Sequence, residues 1–545
     1  MGRGRLLPPG RLQLTMPLRS SGKASDVIVI GAGHNGLVCA CYLARAGLRV
    51  RVLERRAIVG GAAVTEEFHP GYRNSTASYT VGLLAPEIIR DLRLKAHGLC
   101  FVPRPVANFL PLSDADSLTI FNDDAQAARE FARFSAADAQ TLPGFRAMVR
   151  DIGAVVRRQM DRTPPNVGGG VADLVNAGLA AMDAKGLSMP RRRDLAGLFL
   201  KSVGDLLDAF FENPHVKAAL AFDAVVGNFA SPYASGTAYG LLHHALGELD
   251  GVRGAWGHAI GGMGSITQAM LAEAQALGVE VETDAEVTGV IVEEGRTAGV
   301  SLADGTSRTA DRIAANVAPK TLYLDLVDAT HLDSEFLQRV RAIRTESATL
   351  RINVALKELP DFTCRPHTEA DDHHAAGIVI GPTLGYMERA YLDARQGAWS
   401  DAPVIELLIP STVDDSLAPP GHHVASLFCQ HFPRDRDWDT HREAAADTVF
   451  AAIDRFAPNF SSAAIAREVL TPADLERRFA LPGGDIFHGA MTLDQLWINR
   501  PVMGYAAYRG PIQGLYHCGA GAHPGGGVTG LPGRNAAREM LKDRH

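Results

Sequence analysis

An α/β fold is predicted for this chain, with a parallel sheet assembled from distant segments and an α+β domain interleaved between them. Three observations predict it: a strand, glycine turn, helix and strand in succession from Val27, a block of alternating strands from Val279, and a glycine-rich loop between a short strand and a helix from Leu515. Val27 to Ile30 is a continuous apolar run, as expected of a strand buried on both faces. Gly31, Gly33 and Gly36 follow as G-x-G-x-x-G, with Ala32 and Asn35 among them. The first glycine permits a tight turn, the second lets a phosphate approach the backbone, and the third lets the next helix pack close. Leu37 to Ala46 is expected to be that helix, stopped by Gly47, with its amide end facing the anion. Arg49 to Leu53 alternates as a second strand. Glu54 ends it where an acid accepts ribose hydroxyls, so the unit reads as Rossmann-like and dinucleotide-binding.

The tail repeats the logic. Leu515 to Cys518 is expected as a strand, and the loop from Gly519 through Gly526, Gly527 and Val528 feeds a helix over Val528 to Leu541. Such a loop places backbone amides against an anion or an electron-rich ring edge. Gly525, Gly527 and Gly530 also fit G-x-G-x-x-G, but no second strand and ribose-binding acid follow, so one dinucleotide is expected rather than two. In the middle block Ser265 is a candidate N-cap for a helix over Ile266 to Leu277. Val279 to Val281, Glu286 to Val292, Thr297 to Leu302 and Arg312 to Val317 read as strands, with Asp304 and Gly305 as a tight turn.

Gly60 and Gly61 follow Glu54 as E-x5-GG. Together with the phrases GAGHNGLV, GGAAVTEE, SPYASG, LPGGDIFHGAMTLDQLW and YRGPIQGLYHCGAGAHPGGGVTGLPGRNAAREM, this pair gives a resemblance that runs almost end to end. The chain resembles the phytoene desaturase-like FAD-dependent oxidoreductases. Within them it is most similar to the pyridine nucleotide-disulfide oxidoreductase domain-containing subgroup, and next to the desaturase-type beta-carotene ketolases. The resemblance implies FAD. It implies that Gly60 and Gly61 pass the pyrophosphate and ribityl chain, that Arg55 lies beside the cofactor, and that Val287 covers the adenine. The "disulfide" of the subgroup's name implies no dithiol chemistry here. Cys39, Cys41, Cys100, Cys364, Cys429 and Cys518 form neither C-x-x-C nor C-x4-C.

At 545 residues the chain exceeds one ordinary core, so two domains are expected. The motifs place a discontinuous FAD domain at 26–85, 250–325 and 480–545, and a substrate domain at 86–249 and 326–479. In the latter, helical spacing covers Ala125 to Phe134, Ala137 to Gln159, Gly170 to Met182, Arg193 to Phe211 and Ala218 to Phe229. Ala348 to Leu356, Gly377 to Ile380, Val404 to Ile409 and His423 to Gln430 read as strands of a sheet floor. A net charge of −7 gives no reason to expect nucleic acid, and no apolar run is long enough for a membrane span. Peripheral membrane contact stays open through the family resemblance, and the sequence assigns no oligomeric state. Residues 1–25 carry Arg3, Arg5, Arg11, Arg19 and Lys23 without an acid, and are expected to be a disordered extension. The Arg-rich composition suggests a bacterial, cytoplasmic protein. The mitochondrial matrix is the alternative if the basic segment is a targeting signal.

A flavin performs the difficult redox step, so the protein needs to supply position, field and dryness. His523, in the loop expected beside the flavin ring, is the catalytic candidate; its other use is to shape the turn before Pro524. His69, Tyr79, His243, His244 and His258 are weaker candidates. Arg500 and Arg509 are candidates for a polar substrate end or for salt bridges. Asp485, His488 and Asp494 lack a metal-ligand spacing, so no metal is expected. The expected activity is removal of hydride from a C–H bond of an apolar or amphipathic small molecule, with oxygen, a quinone or NAD(P)+ as acceptor. Two other readings stand beside it: a flavin-bound regulator of mitochondrial respiratory function, and a binding protein of the GDP-dissociation-inhibitor type that has lost its flavin.

Overall fold

The computed structural model describes residues 25–166, 169–367 and 369–544. The basic extension expected at 1–25 lies, except for Ser25, outside them. Five strands, Val27–Ile30 (β1), Val50–Leu53 (β2), Glu280–Glu282 (β3), Arg312–Ala315 (β4) and Leu515–His517 (β5), form one parallel sheet in the order β3-β2-β1-β4-β5. Three stretches far apart in the chain therefore build it. Along β1 the burial alternates between two cores. Val27 and Val29 join the large helical core, while Ile28 and Ile30 join the core beneath the sheet Val287–Glu293, Arg296–Leu302 and Ser307–Thr309. A strand covered on both faces has to be apolar at every position, which is what VIVI supplies.

The helix after β1, His34–Arg45 (α1), starts three residues earlier than its apolar spacing suggests, because Gly33 is already its N-cap. A Cβ at Gly36 would lie 2.2 Å from the Gly31 carbonyl oxygen, so only glycine lets α1 come this close to the turn. Helix Leu531–Lys542 packs beside α1, and a Cβ at its Gly533 would lie 2.0 Å from Asn35 O. It begins later than the expected Val528, since Val528 and Gly530 both have positive φ. Ser265 is not an N-cap: the helix spans Gly264–Ala276 with Met263 before it, and Ser265 Oγ instead donates to Gly262 O at 2.8 Å.

The second sheet has seven strands in the order Ala464–Leu470, Thr349–Leu356, His423–Gln430, Val404–Leu408, Gly377–Ile380, Asn108–Pro111 and Ser117–Ile120. All its neighbours are antiparallel except Gly377–Ile380 with Asn108–Pro111. One face buries Ile405, Leu407, Leu427 and Cys429 against helix Trp438–Asp454. The other presents Glu406 and Phe428 to an internal cavity. Helices Ala136–Met160 (α2), Met189–Leu200 (α3), Val203–Asp208 (α4), Pro214–Val225 (α5) and Ala238–His244 (α6) lie among the substrate-side segments. The single helix expected over Arg193 to Phe211 is two, α3 and α4, because Ser202 caps a new helix start.

Candidate functional site

The carboxyl ends of the parallel strands stop at one level. Ile30 pairs with Leu53 and with Ala315, and Ala315 pairs with His517. Gly31, Glu54 and Asn316, the next residues along β1, β2 and β4, line a cavity of about 780 Å³. Ligand crevices of open α/β sheets form at this edge, and sites for small molecules run to roughly 300–1,000 Å³.

Each site residue foreseen in the sequence has a definite place. Gly31, Gly33, Asn35, Glu54, Arg55 and Gly61 line one stretch of the cavity. Val287 lines it from the three-stranded sheet, and Gly526, Gly527 and Val528 from the C-terminal loop. Ala32, Gly36, Gly60 and Gly519 are placed as supports for that lining. Ala32 N–H donates to Glu54 Oε2 at 2.8 Å, and Gly60 N–H donates to Ala32 O at 2.9 Å. A Cβ at Gly61 would stand 3.3 Å from Gly33 Cα, so the two glycine motifs cross at van der Waals distance. Glu54 Oε1 also accepts the Arg56 N–H at 3.0 Å. The carboxylate is thus fixed by two backbone donors, with lone pairs left for a ligand. Asn35 Oδ1, buried at the start of α1, has no hydrogen-bond partner among the described residues.

Arg55 Nη2 donates to the carbonyls of Arg477 and Arg478 at 3.0 and 2.8 Å, tying the crevice wall to helix Pro472–Phe479. Asn316 escaped the sequence reading. Its Nδ2 donates to Gly31 O at 3.2 Å and braces the turn. The available signal was slight: one polar residue ending the apolar run of β4.

His523 requires a correction. It is 5% exposed and does not line the cavity; its Nε2 faces the Gln159 carbonyl at 2.9 Å, at the end of α2. Burial pushes its pKa down to about 4, so it is neutral. It locks the glycine loop to a helix. Arg500 is not in a salt bridge either. It is 2% exposed and donates to the carbonyls of Phe487, Gly489, Ala490, Gln495 and Ala520, which holds the loop 487–490 against the C-terminal loop. Arg509 does form ion pairs, with Glu539 at 2.9 Å and Asp543 at 2.7 Å.

Of the weaker candidates, Tyr79, His243 and His244 line the cavity, whereas His69 and His258 do not. His258 Nε2 lies 2.9 Å from Asp414, whose carboxyl is held down at about 2: burial opposes this, and the hydrogen bonds from His258, Ser416 and Gly261 outweigh it. His69 packs on Tyr72. His243 Nε2 approaches Gly526 O at 3.3 Å, and burial lowers its pKa to about 3.

Away from the glycine motifs the cavity wall is polar on one side. Tyr79 Oη donates to Glu406 Oε2 at 2.5 Å, and Arg104 pairs with Glu406 at 3.3 Å while donating to Thr80 Oγ1 at 2.9 Å. Burial, and then Glu406, push the Tyr79 phenol well above its usual value. The guanidinium of Arg351 stacks 4.4 Å from the centre of the Tyr79 ring. Apolar residues such as Phe145, Leu220, Val226 and Leu241 line it as well. The chamber therefore offers an apolar body site with a fixed polar end.

Against known protein families, residues 36–540 match the model of the flavin containing amine oxidoreductases. The chain belongs to that family. It is an oxidoreductase of a flavin-containing kind. A mouse relative, pyridine nucleotide-disulfide oxidoreductase domain-containing protein 2, is 40% identical over 95% of this chain and 93% of its own length. The lycopene-forming phytoene desaturase of a Paracoccus species is 26% identical over 95% of this chain and 98% of its own length. Among solved structures, an oxidoreductase from Methanosarcina mazei superposes with a TM-score of 0.59 at 16% identity, covering 95% of this chain and 99% of the other, which is a likeness of fold. No helix among the described residues is long and apolar enough to cross a membrane.

Proposed function

We propose that the chain is an FAD-dependent oxidoreductase that oxidises a C–H bond of an amphipathic small molecule. The observation that carries this is the convergence on one crevice of Gly33, Glu54, Gly61, Val287 and Gly527, from segments far apart in the chain. The residues fit a flavin dinucleotide. Gly33 and Gly61 leave room where a diphosphate needs backbone approach, and the amide end of α1 points the same way. Glu54 offers lone pairs to ribose hydroxyls, and Val287 gives an apolar contact for adenine. The orphaned Asn35 Oδ1 lacks the donor that such a ligand supplies. When bound, the flavin supplies the hydride acceptor, its N5 atom.

The chain's own residues do the rest. The apolar residues of the wall would position the substrate body. Gly526, Gly527 and Val528 shape the wall that the C-terminal loop gives the cavity. Three of the cavity imidazoles are held neutral near pH 7: burial lowers His34 to about 4, and His243 and His488 to about 3.

Purified protein should carry an absorbance in the blue that is released as FAD on denaturation and identified by chromatography. Anaerobic mixing with a panel of polyenes, alcohols and amines should bleach that band with one class. A colourless folded protein would favour the binding-protein reading, and an unbleached yellow one the regulatory reading.

A further inference from the structure

Asp223 is a carboxylate on α5 that faces the cavity from among its helical walls. Its neighbours on the helix, Phe222 and Ala224, are buried in the core, so the residue stands at the boundary between core and chamber. Burial holds its carboxyl above the usual range, and the other influences on it are through-space charges of His244, Glu406 and Arg104, with no hydrogen bond among them. The donors around it are already engaged. Arg104 is paired with Glu406 and bound to Thr80. Tyr79 donates to Glu406, and the Trp256 indole N–H donates to His244 O at 3.2 Å. His244 holds Gly240 O through Nδ1 at 2.9 Å, and its ring stacks on Trp256 with centroids 5.7 Å apart. Among the described residues no protein donor reaches the Asp223 carboxyl, which faces this chamber.

We infer that Asp223 makes the cavity selective for a substrate whose apolar body carries a hydroxyl group, which donates a hydrogen bond to the Asp223 carboxylate. This deepens the oxidoreductase reading and rests on it. A pure hydrocarbon filling the chamber would strip water from the carboxylate and return nothing, which is a large desolvation cost. A hydroxyl replaces the lost water bond. It also suits either protonation state, since it donates to a carboxylate and accepts from a carboxylic acid. A fixed ammonium is less suited, because it sheds more hydration than a hydroxyl on entering the chamber while burial holds the Asp223 carboxyl toward its neutral form. Discrimination of this kind is steep, because an analogue without the donor leaves a buried polar group unpaired.

Calorimetric titration of the purified holoenzyme with geraniol, with the hydrocarbon of the same carbon skeleton, and with geranylamine tests the assignment. Wild type should bind geraniol at least tenfold more tightly than the hydrocarbon. Asp223→Leu should make the two equal, and Asp223→Asn, which keeps an acceptor oxygen, should retain part of the preference. Retained flavin absorbance in both variants serves as the check on folding. Equal affinities in wild type, failure of wild type to bind geraniol, a preference that survives Asp223→Leu, or tighter binding of geranylamine would each overturn it. Absence of the hydroxyl preference in yellow wild type removes this inference alone. A protein without flavin removes the oxidoreductase reading, and calorimetry still reads the preference.

Discussion

A Cβ placed at Gly33 would meet Asn316 Nδ2 at 2.8 Å, and the branches of a valine would reach on into the crevice. Gly33→Val is therefore expected to give a folded, colourless protein, checked by circular dichroism beside visible absorbance. Glu54→Ala acts differently, since it removes the acceptor for Ala32 and Arg56 and the one offered to ribose. Its flavin affinity should fall by roughly 1–3 kcal/mol in equilibrium dialysis, the usual range for hydrogen bonds to charged groups. His523→Gln should keep both flavin content and turnover, because a glutamine amide can still donate to Gln159 O; a large loss of turnover with full flavin content would restore a catalytic role. The glycines and Glu54 were legible in the sequence because their spacing is dictated by one local turn. His523 was not, because spacing along a loop does not say which side of the backbone a side chain takes. Asn316 and Asp223 were hidden for a related reason: each is a single polar residue made meaningful by groups that only the fold brings near, such as Gly31 for Asn316.

Ser202 shows how an element boundary is set against the apolar pattern. The spacing of apolar residues runs on from α3 into α4, which reads as one helix. Ser202 Oγ, however, accepts the Asp205 N–H at 2.9 Å and donates to Asp205 Oδ2 at 2.6 Å, so a new helix starts there. Ser202→Ala should lower stability by about 1 kcal/mol, measured by urea unfolding, with flavin content unchanged. The serine and the acid three residues on were present in the sequence as a start signal, and apolar periodicity outvoted them. At the helix from Gly264 the first amides are met from outside the local sequence: Thr65 Oγ1 accepts the Gly264 N–H at 2.9 Å and Ser75 Oγ accepts the Met263 N–H at 2.9 Å.

The molecule as a whole keeps several imidazoles dry. His431, His517 and His523 are 0, 1 and 5% exposed, and burial lowers their pKa values to about 3, 4 and 4. In the unfolded chain a histidine titrates near 6.5. Between that value and about pH 4 the unfolded state binds more protons, so stability is full above about 6.5 and falls as pH drops through this window. The slope should approach about 1.4 kcal/mol per pH unit for each such histidine. Urea unfolding at pH 7, 6 and 5 checks this; a flat profile would mean that these side chains gain protons in place. At this scale the parallel sheet was readable, because β1 is a continuous apolar run and β1, β2 and β5 flank recognisable glycine turns. The order of the seven-stranded sheet was not, since strands such as Gly377–Ile380 and Asn108–Pro111 pair across almost half the chain's length, and no local pattern records which neighbour wins.

The edge position of β5 also bears on biosynthesis. While the ribosome is still adding residues 316–514, β4 has no partner on one side, and the crevice lacks the wall that the loop after β5 supplies. An open strand edge of this kind invites wrong pairing. Every wall of the crevice is therefore in place only once β5 and the loop after it have joined the sheet.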